Sequence, residues 1–141
     1  MSPSKSILLI EDDFDDQETF IEAIEALPGI PTCNIANNGQ EALDLLKQMI
    51  RLPDIIFMDV NMPVMDGIDC LKKITNNPKT MRIPVVMLST STAQKDLACQ
   101  LGARAFIKKS GDRILFEQIK NIFEMIVQPN AEKNSPVSLC N

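Results

Sequence analysis

Three stretches of the chain are continuously apolar and show no alternation with polar residues: residues 7–10, 55–58 and 85–88. Strands of this kind are buried on both faces, which is typical of a parallel sheet covered by helices on each side. Two more mixed segments, residues 32–36 and 105–107, are typical of strands at the edges of such a sheet. The pattern therefore predicts five strands, three of them central.

Between the strands, apolar residues recur every three or four positions, as they do in helices that cover a sheet. Phe20, Ile24 and Leu27 form the first such stripe, which ends at Pro28 and Gly29. Four further stripes lie within residues 42–49, 68–74, 97–101 and 115–126. The alternation predicts an α/β domain of the doubly wound, flavodoxin-like (βα)5 type, with a five-stranded parallel sheet and helices on both faces. With the three most apolar strands at the centre, the strand order is 2-1-3-4-5.

The chain of 141 residues is long enough for one domain with a hydrophobic core of its own. Hydrophobic residues make up 45% of it and charged residues 23%, which is ordinary for a globular protein. We expect the domain to span residues 5–127, after a disordered N-terminus at residues 1–4. Residues 128–141 are polar, contain two prolines and carry no apolar stripe, so we expect a flexible C-terminal tail there.

Charge and hydropathy argue against several classes of function. A formal net charge of −5 argues against a nucleic-acid-binding surface, because phosphate backbones are held by clusters of lysine and arginine. No apolar stretch approaches the length of a transmembrane helix, and the apolar run near the N-terminus is too short for a secretory signal. We therefore expect a cytoplasmic protein that binds neither nucleic acid nor membrane.

Residue types that are rare or missing narrow the chemistry further. The four cysteines, Cys33, Cys70, Cys99 and Cys140, are scattered without a C-x-x-C pair, which argues against a disulfide framework or a zinc site. We expect them to be small buried apolar residues, except for Cys140 in the tail. The chain contains no histidine, which excludes Ser-His-Asp and Cys-His nucleophile pairs and histidine-ligated zinc. Carboxylates, hydroxyls and lysines must therefore carry the chemistry.

Polar residues follow the predicted strands at one edge of the sheet. Acidic residues 11–13 follow the first strand, Asp59 ends the third, Ser89 ends the fourth and Lys109 follows the fifth. Ligands of open α/β sheets bind at the carboxyl ends of the strands, where this strand order brings the acidic run beside Asp59. Clustered carboxylates repel one another unless a cation joins them, and Mg²⁺ suits a site of carboxylates and water. The alternative is that four acidic residues only complement the N-terminal dipole of the first helix: Asp12, Asp13, Asp15 and Asp16. This alternative leaves Asp59 unexplained.

Four segments, in this order and spacing, resemble the receiver domains of bacterial response regulators. They are residues 11–13 (EDD), 59–67 (DVNMPVMDG), 83–89 (IPVVMLS) and Lys109, and the resemblance extends over residues 5–127. It implies a stand-alone, chemotaxis-regulator-like receiver domain of a two-component phosphorelay, in which Asp59 accepts a phosphoryl group with the help of Mg²⁺. The donor is then a phosphohistidine of a sensor histidine kinase or of a histidine phosphotransfer protein. Such a domain catalyses only its own phosphorylation and dephosphorylation, and otherwise acts as a signalling domain.

The resemblance also implies which residues bind the metal and the phosphoryl group. Asp13 and Asp59 would coordinate Mg²⁺, for which Mn²⁺ can substitute, together with the backbone carbonyl of Asn61. Asp12 would contribute through water. Lys109 matches the invariant lysine of the family, whose charge offsets that of the phosphoryl oxygens.

Ser89 and Phe106 match the hydroxyl and aromatic positions that switch between two arrangements in the family. Ser89 would hydrogen-bond a phosphoryl oxygen and draw in the loop after the fourth strand, and Phe106 would rotate into the vacated space. From its own surroundings in the sequence, Phe106 is equally well explained as an ordinary core residue of an edge strand. Asn61 and Ser91 match the variable positions that tune the lifetime of the phosphoryl group.

A receiver domain without an effector passes its signal by binding another protein, here an unidentified downstream target. The resemblance places that surface on the fourth helix, fifth strand and fifth helix, a face that would also support a weak dimer as the alternative to a monomer. Ser110 stands where many members have a proline with a cis bond, so the geometry of the Lys109–Ser110 bond stays open. Residues 88–91 together with Lys109 and Ser110 resemble single-domain regulators that are paired with phytochrome-type kinases.

Three other functions share parts of this pattern. Aspartyl phosphohydrolases of the haloacid dehalogenase type use an Asp after a strand, but need a second Asp two residues on, where this chain has Asn61. Flavodoxin-like proteins that bind flavin mononucleotide share the topology, but acidic residues 11–13 would repel the phosphate of that cofactor. The third is an adaptor that keeps the fold without being phosphorylated. The presence of every reactive residue argues against this alternative.

Overall fold

A computed structural model of the chain describes residues 5–109, 112–127 and 139–140, and within 112–127 the side chains from residue 116 onward. Strands and helices alternate along it: β1 (Ser6–Ile10), α1 (Phe14–Glu25), β2 (Thr32–Ala36), α2 (Gly39–Gln48), β3 (Ile55–Asp59), α3 (Gly67–Thr75), β4 (Val85–Ser89), α4 (Lys95–Gln100), β5 (Ala105–Lys108) and α5 (Asp112–Val127). The predicted disordered N-terminus, the Lys109–Ser110 bond and all of the predicted tail except residues 139–140 lie outside the described residues.

The five strands form a parallel sheet of order β2-β1-β3-β4-β5, which confirms the predicted doubly wound, flavodoxin-like topology. The central strands β1, β3 and β4 are buried on both faces, apart from the first residue of β1. Burial on both faces explains why these segments are apolar without alternation. β2 and β5 form the two edges of the sheet.

Helices cover both faces of the sheet and form two hydrophobic cores. α2, α3 and α4 pack on one face, where Leu46 and Leu71 are buried. α1 and α5 pack on the other face around Phe20 and Ile119, and the ring of Phe20 meets that of Phe57 edge to face at 4.9 Å between centroids. Each fully buried side chain of this size stabilises the fold by about 1.5–3 kcal/mol, so the two cores hold the strand ends firmly in place.

Three of the helices begin with a side-chain cap. Asp13, Asn38 and Asp66 each accept a hydrogen bond from the backbone N–H three residues later, at the start of α1, α2 and α3. Such caps contribute about 1 kcal/mol each. α4 is only six residues long, and Gln94 before it makes no capping bond through its side chain. Among the described helices, none is long and apolar enough to cross a membrane.

The cysteines depart from their predicted role at one pair. Cys99 of α4 and Cys140 form a disulfide, with Cα atoms 5.2 Å apart and 41 positions apart in the sequence. The interpretation that argued against a disulfide was therefore wrong for these two residues. Spacing along the chain could not reveal the pairing, because it arises only where the C-terminal residues return to the sheet. Cys70 is a buried free thiol, as expected, and Cys33 is half-buried.

Residues 139–140 also pair with the sheet through their backbone. Leu139 forms an isolated antiparallel bridge with Ala105 of β5, and the N–H of Cys140 donates a hydrogen bond to the carbonyl of Arg104 at 2.8 Å. At these two positions the C-terminal segment, which was expected to be flexible, is attached to the edge of β5.

Candidate functional site

Four strands deliver polar side chains to one edge of the sheet. Glu11 directly follows β1, Asp59 is the last residue of β3, Ser89 is the last residue of β4 and Lys109 directly follows β5. Because the strands are parallel and adjacent, their carboxyl ends lie side by side: Asp59 is in register with Leu88, and Ser89 pairs with the last residue of β5. The site thus lies where ligands bind in open α/β sheets.

Lys109 joins the carboxylates of this site. Its Nζ donates hydrogen bonds to Oε1 of Glu11 at 2.7 Å and to Oδ2 of Asp16 at 2.9 Å. It also lies 3.2 Å from Oδ1 of Asp59. The lysine side chain is only 12% exposed, so little water screens these ion pairs. One ammonium group therefore connects carboxylates from α1, β3 and the loop after β1.

The ammonium group of Lys109 remains protonated at neutral pH. Burial alone would lower the pKa of its ammonium group, because a charged group loses hydration inside the protein. The hydrogen bonds to Glu11 and Asp16, and the charge of Asp59, outweigh burial and raise the pKa of Lys109 above its ordinary value. The site thus keeps a permanent positive charge at neutral pH.

The two buried carboxylates, those of Glu11 and Asp59, are protonated more easily than usual because their pKa values are raised. Burial, and to a smaller extent the charge of Asp59, raise the pKa of Glu11 to about 7 despite the opposing hydrogen bond from Lys109. The pKa of Asp59 is also raised, again chiefly by burial and against the influence of Lys109. One ammonium group is not enough to neutralise these carboxylates, so a further cation would find complementary charge here.

Three carboxylates stand close enough to share one ion. Oxygens of Glu11, Asp12 and Asp59 all lie within 4.8 Å of one another. Metal–oxygen distances of about 2.0–2.6 Å place the ligands of one ion up to about 5 Å apart, so the spread suits Mg²⁺ or another hard divalent ion. Glu11 and Asp59 are buried, whereas Asp12 is exposed and leaves one side of the group open to solvent.

Asp13 and Asn61 were both predicted to take part in metal binding. The side chain of Asp13 caps α1 by accepting the N–H of Asp16 at 3.0 Å, and Asp13 is not among the three carboxylates that share oxygens within 4.8 Å. Asn61 is exposed, two residues beyond Asp59. Of the predicted residues, the structure therefore brings together Asp12, Asp59 and Lys109, and it adds Glu11, which had not been predicted as a ligand.

Ser89 is tied to both the lysine and the following loop. Its side chain is buried, its Oγ accepts the N–H of Ser91 at 3.2 Å, and its carbonyl accepts the N–H of Lys109 at 2.7 Å. Ser91 is exposed, and its own Oγ accepts the N–H of Ala93 at 3.1 Å. A change in the hydrogen bonding of Ser89 would therefore act directly on the start of the loop that leads to α4.

Phe106 lies on β5, the strand at one edge of the sheet. Its side chain is only 4% exposed and belongs to the core on the side of α2, α3 and α4. In the sheet it is in register with Met87 of β4. Phe106 therefore occupies the inward position, where it serves as a core residue.

Sequence reasoning assigned no role in the site to Asp16 or to Gly67, although Gly67 belongs to the motif of residues 59–67. The sequence offered only the helix dipole as an alternative account of Asp16, and its bond to Lys109 spans 93 positions, so no local pattern indicates it. Gly67 begins α3, and a Cβ added there would lie 2.3 Å from the carbonyl oxygen of Asp59. Only glycine fits, because α3 approaches the end of β3 backbone to backbone.

The family model of the response regulator receiver domain matches residues 7–120. Among curated relatives, Response regulator Rcp1 of Synechocystis is 30% identical, over 89% of this chain and 86% of the relative. A protein-glutamate methylesterase/protein-glutamine glutaminase of Syntrophomonas wolfei is 30% identical over 96% of this chain, but over 39% of its own length. The chain thus spans less than half the length of the methylesterases that it matches.

Solved structures show the same similarity over the whole fold. The phosphorylated cyanobacterial phytochrome response regulator RcpA superposes with a TM-score of 0.84 at 31% identity, over 92% of this chain and 98% of that one. The Mn²⁺-bound form of response regulator Rcp1 superposes with a TM-score of 0.78 at 29% identity, over 93% and 99%.

Proposed function

Because the chain belongs to the response regulator receiver domain family, we propose that Asp59 is its phosphoacceptor and that phosphorylation controls its binding to another protein. The observation that carries this proposal is the position of Asp59, buried at the end of β3 and 3.2 Å from Lys109. A buried acid beside a permanent cation, at the open end of a parallel sheet, is suited to receive an anionic group. As in the family at large, the domain acts as a signalling domain of a two-component system.

The residues suited to hold the divalent ion are Glu11, Asp12 and Asp59, whose oxygens lie within 4.8 Å of one another. Their carboxylates favour Mg²⁺, with Mn²⁺ as a substitute, and a relative of 29% identity is described as bound to Mn²⁺. This assignment replaces Asp13 by Glu11, because Asp13 is engaged as the cap of α1. The carbonyl of Asn61 remains the predicted backbone ligand.

In the proposed reaction, a carboxylate oxygen of Asp59 forms a bond to phosphorus while the bond between phosphorus and the imidazole nitrogen of the donor breaks. Lys109, 3.2 Å from Asp59, would follow the negative charge as it moves onto the phosphoryl oxygens. Glu11 and Asp16 hold the lysine ammonium in that position through its two short hydrogen bonds. The ion, when bound, would neutralise further charge on the phosphoryl oxygens.

The response to phosphorylation would start at Ser89. The phosphoryl group adds about −1.5 to −2 charges. The hydroxyl of Ser89 can donate its proton to a phosphoryl oxygen while its Oγ still accepts the N–H of Ser91. The start of the loop would move with it, and Phe106 would then adjust its packing. Asn61 and Ser91 are exposed, so they are suited to control the access of water that hydrolyses the acyl phosphate.

The energies suggest a partial switch. A charge-assisted hydrogen bond contributes about 1.5–3 kcal/mol, whereas moving an equilibrium from 1:99 to 99:1 needs about 5.5 kcal/mol. New bonds from Ser89 and Lys109 reach that value only at their upper limit. Binding of the target protein would therefore complete the shift.

The proposed donor is a sensor histidine kinase or a histidine phosphotransfer protein. The relative described as a phytochrome response regulator shares 31% identity over nearly its full length, which favours a kinase of the phytochrome type. We place the exchange in the cytoplasm and the contact with a downstream protein on the face formed by α4, β5 and α5, with the protein a monomer or a weak dimer through that face.

Intact-mass spectrometry after incubation with acetyl phosphate and Mg²⁺ tests the proposed phosphorylation. We expect one phosphoryl adduct on the wild type and none on Asp59→Asn or in the presence of EDTA. If the adduct is too short-lived to detect, a beryllofluoride mimic should still bind the wild type. Failure of both in folded protein would favour the adaptor hypothesis instead.

The ligand assignment has a test of its own. Glu11→Gln should weaken Mg²⁺ binding by about tenfold or more, because it removes a charged ligand. Asp13→Asn should change it by less than about twofold, since asparagine is an equally good helix cap and the fold is kept. Isothermal titration of the metal-free proteins measures both, and the opposite ranking would restore Asp13 as the ligand.

A further inference from the structure

The outer edge of β5 is paired at its start with two C-terminal residues of the same chain, Leu139 and Cys140. β5 is the outermost strand on its side of the sheet, so one row of its backbone groups has no neighbouring strand. Leu139 pairs antiparallel with Ala105 on this row, and the N–H of Cys140 donates to the carbonyl of Arg104 at 2.8 Å. Exposed strand edges invite pairing with other chains, and a covering segment is one way in which proteins prevent it.

The disulfide fastens this segment to α4, the helix with the weakest attachment among those with described termini. α4 has six residues, no side-chain cap and a single buried residue, Ala98. Isolated helices of this length are unstable in water, so α4 depends on its tertiary contacts. The bond between Cys99 and Cys140 adds a covalent contact between α4 and the segment that lies on β5.

The accessibility of the Cys99–Cys140 disulfide and its position beside α4 and β5 make it suitable for redox control. Cys99 and Cys140 are only half-buried, so a reductant can reach their sulfur atoms. The side chain of Cys140 packs against the core that contains Phe106, and α4 and β5 belong to the face that we proposed as the contact with the target protein. The cytoplasm, where we placed this protein, is a reducing compartment. Disulfides in such compartments usually take part in redox control and are seldom permanent.

We propose that residues 139–140 and the Cys99–Cys140 disulfide form a redox-controlled cover over the β5 edge and α4, which a dithiol reductant opens. The occupant of this surface in the oxidised protein is the chain's own C-terminal segment. In its reduced form the edge and α4 become accessible to the target protein. The last step rests on the proposed function, since it assumes that this face is the one that the target binds.

Opening of the cover is an ordinary thiol–disulfide exchange. A thiolate of the dithiol attacks one sulfur of the pair, the bond between the two cysteine sulfurs breaks, and a mixed disulfide forms. The second thiol of the reductant then displaces the protein sulfur. The products are the thiols of Cys99 and Cys140 and the oxidised reductant, which has supplied two electrons and two protons.

The two other cysteines are poorly suited to interfere with this exchange. Burial raises the pKa of the Cys70 thiol to about 12, and burial likewise raises that of Cys33 to about 12. Both therefore remain protonated at neutral pH, and a protonated thiol is a poor nucleophile. The exchange should thus stay confined to Cys99 and Cys140.

The first part of the test maps the disulfide in the full-length protein. The protein is equilibrated in mixtures of oxidised and reduced dithiothreitol, quenched with acid and alkylated, and its peptides are identified by mass spectrometry. We expect a Cys99–Cys140 linkage within a monomer that disappears on reduction, with Cys33 and Cys70 alkylated throughout. Linkage through Cys33 or Cys70, or a disulfide-linked dimer in which a second copy covers the edge, would overturn the proposal.

The second part measures hydrogen exchange in the oxidised and reduced protein. Reduction, or Cys140→Ser, should accelerate exchange in peptides from α4 and in the peptide that contains Cys140 by about tenfold or more. Cys33→Ser is the matched control, since it removes a thiol from the opposite edge strand and should leave both effects of reduction intact. Unchanged exchange in α4 on reduction would refute the cover. Because neither measurement involves phosphorylation, a failed acetyl phosphate reaction in the same samples would count against the proposed function alone.

Discussion

At the scale of single residues, the ammonium group of Lys109 organises the site. It contacts Glu11, Asp16 and Asp59, so its removal would leave three carboxylates without their common counter-charge. Its position also explains how Asp59 can be buried, although no second lysine or arginine among the described residues forms an ion pair with it. The chemistry of the site therefore depends on one residue that lies 50 positions from the acid it serves.

Replacing this lysine should slow phosphorylation much more than it alters the fold. Lys109→Met is expected to slow the reaction with acetyl phosphate by about 10²-fold or more, the usual effect of losing one group that stabilises charge in a transition state. Lys108→Met is the matched control, because Lys108 is exposed at the end of β5 and should react at nearly the wild-type rate. Time courses of adduct formation by intact mass compare the two, and equal rates would argue against the role of Lys109.

Glu11 should make the stability of the metal-free protein depend on pH. Its pKa is raised from 4.5 to about 7 in the native state, so between these values the native protein holds a proton that the unfolded chain has released. This group therefore stabilises the fold fully below about pH 4.5, and its contribution is lost as the pH rises through about 7. Glu11→Gln cannot ionise, so the stability of this variant relative to the wild type should rise over the same range.

Urea denaturation of both proteins in EDTA, at several values from about pH 5 to about pH 8, measures this difference. A relative stability that is constant, or that falls as the pH rises, would show that Glu11 is not held protonated by burial.

At the scale of elements, the close approach of α3 to the end of β3 positions Asp59, the proposed phosphoacceptor. The N–H of Gly67 donates to the carbonyl of Val60 at 2.8 Å, and the backbone of Asp59 lies where a Cβ of residue 67 would be. The start of α3 thus packs against the backbone at the end of β3, and this fit depends on the absence of a side chain at residue 67.

Gly67→Ala should therefore disturb both stability and reactivity. The added Cβ would meet the backbone oxygen of Asp59 at 2.3 Å, which forces a backbone shift and should cost about 1–3 kcal/mol of unfolding free energy. Phosphorylation should slow as well, because Asp59 moves. Gly39→Ala is a close control, since Gly39 also begins a helix but its Cβ would meet only side-chain atoms, at 3.2 Å. Equal losses in the two variants, measured by urea denaturation, would contradict this account.

At the scale of the whole molecule, the disulfide closes a long loop that includes β5 and α5. Its partners are 41 positions apart, and restricting an unfolded chain over such a loop stabilises a protein by up to about 4 kcal/mol. Cys140→Ser should therefore lower the free energy of unfolding by up to this amount, and less where the freed segment gains disorder in the native state. Denaturation of oxidised wild type, Cys140→Ser and Cys33→Ser provides the comparison, and a loss below about 0.5 kcal/mol for Cys140→Ser would contradict it.

Much of the architecture was predictable from local patterns. Stretches such as residues 7–10 and 55–58 are apolar on both faces because both faces of a central parallel strand are buried, so the pattern alone indicated the sheet and its central strands. The same strands ended in Asp59 and Ser89, and the parallel direction of the sheet then required their side chains to meet at one edge. The spacing of apolar residues and the order of residues along a strand are local properties, and they can therefore be predicted from the sequence.

Other features were decided only by tertiary structure. The start of α1 decides which two residues of the acidic run 11–13 lie near Asp59. Because α1 begins at Phe14, Asp13 serves as its cap, and Glu11 and Asp12 are the two whose oxygens lie near those of Asp59. The bond from Lys109 to Asp16 and the disulfide from Cys99 to Cys140 join distant positions. No periodicity relates such pairs, because they meet only after helices and strands have packed, and their energies depend on the burial and proximity that packing creates.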